Sequence, residues 1–378
     1  MKITFIMANA TYAGGTRVIA TQARELMARG HEVVAVTTPP PPPSWRYRVW
    51  SLLHGKGWPK TPKAGGSFLD DTGVPHQVIE RFRPITDRDV PDADVVIATW
   101  WQTGEWVWNL SPSKGAKAFF IQHYETWGGD PARVNAVWKL PMHKIVISRW
   151  LADLARDKFQ DSDISRVPNS VDMKLFNATE RGKQNRPTIG VLYNHVPFKG
   201  FDVSSKAIEI IRKSLPDLQV ISFGEAEPHA NLPLPPNTRY TVRPPQEKIR
   251  ELYAQCDLWL CGSRAEGFHL PPLEAMACRC PVVSTRVGGP MDIIVDGENG
   301  YLVDVEDHAA LAERALQVLR LSDQGWRKMS DAAYATACRY SWQDAAALLE
   351  QALRHAVEKQ KSGAAKERPE AKSRELIP

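Results

Sequence analysis

The sequence has 378 residues, which exceeds one ordinary domain and leaves room for two cores. Hydrophobic residues make up 43% and charged residues 24%, the proportions of a globular protein, and no apolar run approaches the roughly eighteen residues that a membrane span needs. The net charge of +5 is a small excess and no nucleic-acid motif accompanies it, so we expect no nucleic-acid partner, whereas anionic lipid remains open.

The first half of the chain alternates short buried strands with helical segments. Residues 2–8 predict a strand, 17–29 a helix and 31–37 a second strand, which together form a β-α-β unit of a parallel sheet. Further buried strands are predicted at 94–99, 117–122 and 144–148, and an amphipathic helix extends to Phe159. Residues 3–8 are too short for a signal-peptide core, so we expect a cytoplasmic protein.

Residues 39–43 are five prolines, which end the second strand and precede an unusual insertion. Residues 44–60 are rich in Trp, Arg and Lys and nearly free of acids, the mixture that settles at a bilayer interface. We therefore expect residues 45–60 to meet an anionic inner-membrane surface, which would make the protein peripheral on that membrane. The alternative is that these tryptophans pack beneath the first domain while the cations face water.

Two loops of the first half follow buried strands, where ligands of open α/β sheets bind. Gly14 and Gly15 lie in the loop after the first strand, although a tight turn explains a Gly-Gly pair at least as well and G-x-G-x-x-G is absent. His123 follows the strand at 117–122, with Glu125 as a weaker candidate. A histidine in this position is often structural.

The second half repeats the α/β alternation after a polar linker at 180–187. Strands are predicted at 188–193, 218–223, 257–261, 281–284 and 301–303, and helices at 307–321 and 342–359. The predicted domains are therefore residues 1–180 and 181–340, followed by a final helix at 341–360 and a disordered charged tail at 361–378. The five cysteines form an odd set without C-x-x-C spacing, which predicts neither a disulfide framework nor a zinc site.

The stretch 262–289 carries the strongest chemical signal. A buried strand ends at Cys261, and the run from Leu270 has Pro271 and Pro272 at positions where a helix begins and tolerates proline. The residues before this helix present free backbone N–H groups at the positive end of its dipole, which favours a phosphate. The four residues concerned are Gly267, Phe268, His269 and Leu270.

Glu266 and Glu274 flank this anion site with seven residues between them. A carboxylate next to a phosphate is costly unless hydroxyl groups donate hydrogen bonds to it, so the pattern favours a ligand with hydroxyls on both sides of a phosphate. A nucleotide sugar has this layout. The less specific interpretation is a pair of surface glutamates on an amphipathic helix.

The segment EGFHLPPLEAMA, followed by CPVVST and VGG, resembles the retaining nucleotide-sugar glycosyltransferases of family four. The resemblance implies the GT-B fold, two Rossmann-like doubly wound domains facing a cleft, with the first domain binding the acceptor and the last helix crossing back to it. It also implies that Glu274 holds the ribose, that the amides of 267–270 hold the diphosphate, and that Glu266 meets the donor sugar. His269 departs from the family, which usually has glycine.

The resemblance assigns further residues to the donor. Lys199 matches a lysine on the diphosphate, and Tyr193 replaces an arginine of the family. Arg264, two residues before Glu266, is a candidate for the missing charge, and a solvated surface arginine is an equally good interpretation. His123 would meet the donor sugar, Gly14 and Gly15 would approach the donor phosphates or the acceptor, and Arg243 lies near the expected base pocket. Three Asp-x-Asp pairs, at 87/89, 92/94 and 161/163, look accidental, so we expect metal-independent chemistry without a cofactor.

The first functional hypothesis is a retaining hexosyltransferase that moves a sugar from a nucleoside-diphosphate sugar to a glycan or lipid-linked acceptor in envelope polysaccharide or glycolipid synthesis. A second is a soluble sugar or disaccharide synthase of the same fold. A third is a catalytically silent nucleotide-sugar-binding subunit, suggested by Tyr193 and His269. The sequence names neither the donor nor the acceptor.

Overall fold

A computed structural model describes residues 1–60 and 65–363, which form two compact units. The first unit contains Met1–Val146, Leu151–Val167 and the chain from Ala346 onward. The second contains Ile147–Trp150 and Pro168–Ala345. Most of the predicted charged tail, from residue 364, lies outside the described residues.

The first unit is built on a parallel sheet of seven strands within the described residues, in the order β3-β2-β1-β4-β5-β6-β7. Its strands are β1 (Lys2–Met7), β2 (Glu32–Thr37), β3 (His76–Val78), β4 (Val95–Ala98), β5 (Ala116–Ile121), β6 (His143–Val146) and β7 (Ile164–Arg166). Its helices are α1 (Gly14–Ala28), α2 (Trp45–Leu53), α3 (Phe68–Thr72), α4 (Trp101–Asn109), α5 (Pro131–Trp138) and α6 (Arg149–Phe159), the last of which begins in the second unit.

The second unit has a parallel sheet of six strands in its described residues, in the order β10-β9-β8-β11-β12-β13. These are β8 (Thr188–Leu192), β9 (Gln219–Gly224), β10 (Thr238–Val242), β11 (Leu258–Cys261), β12 (Val282–Thr285) and β13 (Gly300–Val303). The helices are α7 (Phe201–Ser214), α8 (Gln246–Ala254), α9 (Leu270–Ala277), α10 (Pro290–Ile293), α11 (His308–Leu319) and α12 (Asp323–Cys338); the final helix α13 (Trp342–Lys361) runs from this unit into the first.

Both strand orders reverse once, between β1 and β4 in the first sheet and between β8 and β11 in the second. Such a reversal leaves a crevice at the carboxyl ends of the two strands, because the connections on either side run in opposite directions. The predicted donor residues Lys199 and Glu266 follow β8 and β11, so they lie at the switch point of the second sheet.

Close packing on the second sheet explains why Gly190, inside strand β8, is a glycine. Gly190 of β8 pairs in register with Trp259 of β11, whose indole ring is fully buried. A β-carbon at Gly190 would lie 2.2 Å from that ring. Only glycine therefore lets the Trp259 side chain cross the neighbouring strand.

The predicted α/β class and the two Rossmann-like halves are confirmed, with element ends that differ by a few residues. One difference concerns the candidate site, because α1 begins at Gly14 rather than at Arg17. Gly14 and Gly15 are therefore the first helical turn, and the sequence-based placement of both in a loop is wrong. Glycine is a poor helix former, which hid this start.

The sequence missed three edge strands, β3, β7 and β10, and also helices α2, α3, α4, α5 and α12. The edge strands are short and carry polar, half-exposed residues, so they lack the apolar runs that identify buried parallel strands. Among the residues that the structure describes, no helix is both long and apolar enough to cross a membrane.

Candidate functional site

The core of the candidate site is formed where the turn after β8 packs on the loop after β11. The turn is the short 3-10 helix Pro197–Lys199, and Gly200 follows it in the left-handed region at φ 60°. A β-carbon at Gly200 would lie 1.9 Å from the carbonyl oxygen of Gly262, so no other residue permits this contact. The contact places Lys199 next to Glu266.

Glu266 is a buried carboxylate with three polar neighbours. Its exposed fraction is 5%; Lys199 Nζ lies 2.8 Å from Oε2, and the Ser263 hydroxyl donates to Oε1 at 3.0 Å. Nε2 of His269 lies 3.7 Å from Oε1. Burial by itself raises the pKa of Glu266, but the nearby His269 and Lys199 lower it below its ordinary value. The charged form of Glu266 is therefore favoured inside the fold.

His269 has an unusual backbone and an unpaired ring nitrogen. It is the residue before α9 and adopts the left-handed region, with φ 70° and ψ 79°. Its imidazole is 94% buried, since only 6% of the side chain is exposed, and Nδ1 has no hydrogen-bond partner among the described residues. Burial lowers the pKa of His269 despite the neighbouring Glu266.

The loop before α9 has backbone N–H groups that its own contacts leave available. The Gly267 carbonyl accepts from Trp150 Nε1 at 2.9 Å, and the Phe268 carbonyl accepts from the Gly289 N–H at 2.7 Å. Because C=O and N–H point in opposite directions across a trans peptide, the N–H groups of Phe268 and His269 face away from these partners. No described residue accepts from the N–H groups of 267–270. This is the geometry of an anion site at a helix N-terminus.

The VGG motif supports this loop from behind. Gly288 has φ 46°, and a β-carbon there would lie 2.8 Å from the Glu266 carbonyl oxygen. A β-carbon at Gly289 would lie 2.3 Å from the Phe268 carbonyl oxygen. The two glycines therefore let the chain after β12 lie directly against the loop that carries Glu266.

Glu274 lies inside α9 and is 5% exposed. The Tyr253 hydroxyl of α8 donates to its Oε2 at 2.9 Å. Tyr253 is itself fully buried and packs edge-on against Trp259 with ring centroids 4.5 Å apart. The Glu274 carboxylate is therefore held by a rigid aromatic support, which sequence reasoning missed because Tyr253 lies 21 residues upstream.

Arg264 and Tyr193 are engaged in the fold. The Arg264 guanidinium binds both carboxylate oxygens of Asp202, at 2.8 and 2.7 Å, and also contacts Glu306, which together raise its pKa. The Tyr193 hydroxyl donates to the Leu232 carbonyl at 3.0 Å. Tyr193 is thus a packed core residue, and the donor role predicted for Arg264 stays a prediction for a cation that already has two carboxylate partners.

Arg243 lies just after β10, at φ 43°. Its Nε donates to the Glu225 carbonyl at 2.6 Å, and its backbone N–H donates to the Gly224 carbonyl at 2.8 Å. Both contacts join the ends of β9 and β10. The role predicted for Arg243 near the base stays a prediction.

The first-unit candidates gather at the carboxyl edge of their own sheet. The Gln122 amide donates to the Gly15 carbonyl at 3.1 Å, which joins the start of α1 to the end of β5. His123 Nδ1 lies 3.1 Å from the Tyr124 carbonyl oxygen. Trp127, which sequence reasoning missed, is 55% exposed and lies edge-on to His123 with ring centroids 6.0 Å apart.

Glu125 is buried next to this group. It is 3% exposed and accepts from the Trp101 N–H at 2.8 Å. Burial raises its pKa well above the ordinary value, and this hydrogen bond offsets only part of the effect. The hydrogen bond to Trp101 fixes the start of α4. The raised pKa favours the neutral form of the Glu125 carboxyl group.

The Asp-x-Asp pairs are occupied by ion pairs. Asp89 binds Arg83 at 2.6 Å, Asp92 binds Lys114 at 2.8 Å, and Asp161 binds Lys144. Arg83 holds the pKa of Asp89 far below its ordinary range despite partial burial. These carboxylates stabilise the first unit through cations of the chain itself.

Each half of the chain matches a model of a known protein family. The family model described as Glycosyltransferase Family 4 matches residues 12–175, and that of Glycosyl transferases group 1 matches residues 174–336. The chain belongs to the family 4 glycosyltransferases. This agrees with the two parallel sheets and confirms the resemblance that the sequence motifs predicted.

Individual relatives match in part. The chain is 45% identical over 75 residues to N-acetyl-alpha-D-glucosaminyl L-malate synthase of Bacillus anthracis, covering 20% of each chain. It is 32% identical over 232 residues to D-inositol 3-phosphate glycosyltransferase of Paenarthrobacter aurescens, covering 56% of this chain and 55% of the relative. The matches therefore span between a fifth and about half of these two relatives.

The fold is also found in solved structures. The structure of Anabaena HepE in complex with UDP-glucose matches with a TM-score of 0.69 and 16% identity, over 96% of this chain and all of that one. At this identity the likeness establishes the fold alone. It extends through both sheets.

Proposed function

We propose that this family 4 glycosyltransferase moves a sugar from a nucleoside-diphosphate sugar, with retention of configuration, to a glycan or lipid-linked acceptor. The observation that carries the proposal is the second-unit cluster, in which Lys199 and Glu266 lie next to the outward N–H groups of 267–270. A cation, a buried carboxylate and an anion site at one switch point suit a diphosphate bonded to a sugar. The solved complex of Anabaena HepE with UDP-glucose supports the choice of donor class.

Lys199 and the loop N–H groups neutralise the charge that develops on the departing diphosphate. The Lys199 side chain, whose Nζ binds Glu266, is 29% exposed, so part of this side chain reaches solvent. Fixed donors of this kind need no reorganisation during the reaction, which makes them effective in transition-state stabilisation. Transfer then needs no divalent ion.

Glu266 supports the positive charge that develops on the donor sugar. Its lowered pKa keeps it ionised, and its carboxylate is fixed by Lys199 and Ser263 rather than free to attack. In the proposed retaining route the acceptor hydroxyl attacks from the face that the diphosphate leaves, and a diphosphate oxygen takes the hydroxyl proton. Glu274, fixed by Tyr253, binds the ribose hydroxyls.

The acceptor binds the carboxyl edge of the first sheet. The exposed ring of Trp127 lies between His123 and Trp100, with ring centroids 6.0 and 5.6 Å away. Exposed aromatic faces beside polar groups suit the apolar faces and hydroxyls of a sugar. The contact between His123 and Trp127 supports the role predicted for His123 at the donor sugar, next to this acceptor surface.

The insertion helix α2 favours a lipid-linked acceptor. Ser51 is its one buried residue, whereas Trp45 is 71% exposed and Leu53 is 79% exposed, which supports a surface segment over the alternative in which the tryptophans pack beneath the unit. Lys56 lies 4.7 Å from the Trp50 ring centroid, and Arg48 lies 5.4 Å from that of Trp58. We propose that α2 and the following residues to 60 rest on an anionic inner leaflet.

The donor is tested by incubating the purified protein with UDP-, GDP- and dTDP-sugars and measuring the released nucleoside diphosphate. We expect one sugar nucleotide to be consumed, at a rate that is the same with EDTA and with Mg²⁺, with circular dichroism confirming that the protein stays folded in both. Activity that depends on Mg²⁺ would refute the role of Lys199. No turnover with any donor, combined with binding of one nucleotide, would favour the silent subunit.

Membrane contact is tested by co-sedimentation with phosphatidylglycerol vesicles at low and high salt. Each cation near an anionic surface contributes about 1 kcal/mol, so changing Arg46, Arg48, Lys56 and Lys60 to Glu should abolish low-salt binding. A control with Lys206, Lys213, Arg320 and Lys328 changed to Glu has the same net charge and should still bind. Equal sedimentation of the two variants would refute the surface and favour the soluble synthase.

A further inference from the structure

Three metal-ligand side chains meet at one edge of the first sheet, away from the residues proposed for transfer. His143 opens β6, Asp163 directly precedes β7, and His355 lies on α13. One ligand atom from each lies within 4.8 Å of the others. All three belong to the first unit.

The two distances from Asp163 can be compared with those of a metal site. Oδ1 of Asp163 lies 3.5 Å from Nδ1 of His143 and 2.7 Å from Nε2 of His355. In a tetrahedral zinc site with bonds of about 2.05 Å, ligand atoms are about 3.4 Å apart. The first distance fits directly, and the second is a hydrogen bond that an ion would replace with a small outward shift of His355.

An independent observation comes from the imidazole of His143. The side chain is 2% exposed, and its Nε2 is paired with the Ser165 hydroxyl at 2.9 Å. Its Nδ1 is buried and has no hydrogen-bond partner among the described residues, although it faces Asp163. Buried polar atoms are rarely left unpaired, and a histidine whose second nitrogen is held by a neighbour is the usual arrangement at a metal.

The second carboxylate oxygen of Asp163 has a partner of its own. Oδ2 of Asp163 binds Lys359 Nζ at 2.5 Å, which orients the carboxylate and leaves Oδ1 directed at the two histidines. His355 is 52% exposed, so the site has an entry path and space for a water ligand. The ion pair between Lys144 and Asp161 lies next to this cluster, and its two charges cancel.

We propose that the first unit binds a divalent transition-metal ion, with Zn²⁺ as the prototype, through His143 Nδ1, His355 Nε2 and Asp163 Oδ1. Imidazole and carboxylate donors suit Zn²⁺, and water completes the tetrahedron. The ion ties the final helix α13 to the edge formed by β6 and β7. It is a structural site, and because its ligands come from the first unit alone, it does not depend on the proposed transfer function.

The test uses the full chain without a histidine tag, with Cys338 changed to Ser because this exposed thiol is a competing zinc ligand. After EDTA treatment and desalting, Zn²⁺ is titrated by calorimetry, and the melting temperature is measured with and without Zn²⁺. We expect one ion per chain and a higher melting temperature. Co²⁺ should give the visible absorption of a four-coordinate site.

Two variants and one control decide the outcome. His355→Gln and Asp163→Asn should each weaken Zn²⁺ binding at least tenfold and abolish the Co²⁺ spectrum, with unchanged circular dichroism. His308→Gln, on α11 of the second unit, should bind as the parent does. Absence of stoichiometric binding in the parent chain, or full retention of binding in either ligand variant, would overturn the proposal.

Discussion

Replacing Lys199 by Met should destabilise the second unit and slow transfer for two separable reasons. Lys199 Nζ lies 2.8 Å from Glu266 Oε2, and the carboxylate is 96% buried, since 4% of its side chain is exposed. Removing one partner of a buried pair leaves an uncompensated charge and costs about 3–5 kcal/mol. Because Lys199 itself is 29% exposed, we expect the lower end, about 3 kcal/mol at neutral pH.

The pH dependence follows from the sign of the shift at Glu266. Its pKa is lowered in the folded chain, so the unfolded chain binds more protons in the acid range. Its contribution to stability is present at neutral pH and is lost as the pH falls through the folded pKa. The stability difference between the parent and Lys199→Met should therefore be complete at pH 7 and shrink in the acid range, first as the variant's carboxyl group takes up a proton and then as the pH falls through the folded pKa of the parent.

A second substitution separates stability from chemistry. Glu266→Gln in the Lys199→Met background removes the buried charge, so it should recover most of the lost stability, but turnover should remain low because both charges are absent. Urea unfolding followed by circular dichroism measures the first effect, and sugar-nucleotide consumption measures the second. Turnover of Lys199→Met alone should fall on the order of 10²-fold, as for one lost oxyanion donor.

The matched control is Lys206→Met, a lysine exposed on α7. It should leave stability and turnover unchanged. If Lys199→Met also unfolds like the parent at pH 7, the ion pair does not hold Glu266 and the reasoning is wrong. If its turnover is unchanged while stability falls, Lys199 is a structural partner of Glu266 and not a ligand of the diphosphate.

Three further substitutions test the donor site. Glu274→Ala should weaken nucleotide-sugar binding at least tenfold in calorimetry, because charge-assisted bonds to ribose hydroxyls are worth about 1.5–3 kcal/mol each, and unchanged affinity would exclude Glu274 from the site. Glu266→Gln should lower turnover far more than it weakens binding of the bare nucleoside diphosphate, whereas equal losses would make it a binding residue only. His269→Gly should raise the melting temperature slightly by relieving about 1–2 kcal/mol of backbone strain while turnover falls, and a lower melting temperature would contradict the strain.

The donor site could be predicted because most of it is continuous in sequence. The strand, loop and helix around Glu266 and Glu274 carry local signals, namely a buried run, a pair of prolines and two glycines at fixed spacing. The contacts that other elements make with this site have no local sequence signal. One example is the hydrogen bond from the Tyr253 hydroxyl to Glu274. A tyrosine on a helix looks like any amphipathic residue until its neighbours are known.

The partners of charged residues could not be predicted from the sequence either. Arg264 has the right position in the sequence to reach a diphosphate, but Asp202 and Glu306 bind its guanidinium in the fold. Cysteine spacing predicts no zinc site, but it carries no information about histidines on β6 and α13. Pairings between distant segments arise from topology, and a single sequence contains no periodicity that reports them.

The conformation of His269 bears on whether the donor site is active or catalytically silent. A left-handed backbone costs a non-glycine residue about 1–2 kcal/mol, and its imidazole buries an unpaired Nδ1, so the position has two penalties that glycine would avoid. Such strain persists where surrounding structure enforces it, typically at functional sites. The carbonyls of Gly267 and Phe268 are held as a diphosphate site requires, so the strain does not come from a collapsed loop. We therefore infer that the imidazole serves the ligand or Glu266, and that the active enzyme is the better interpretation than the silent subunit.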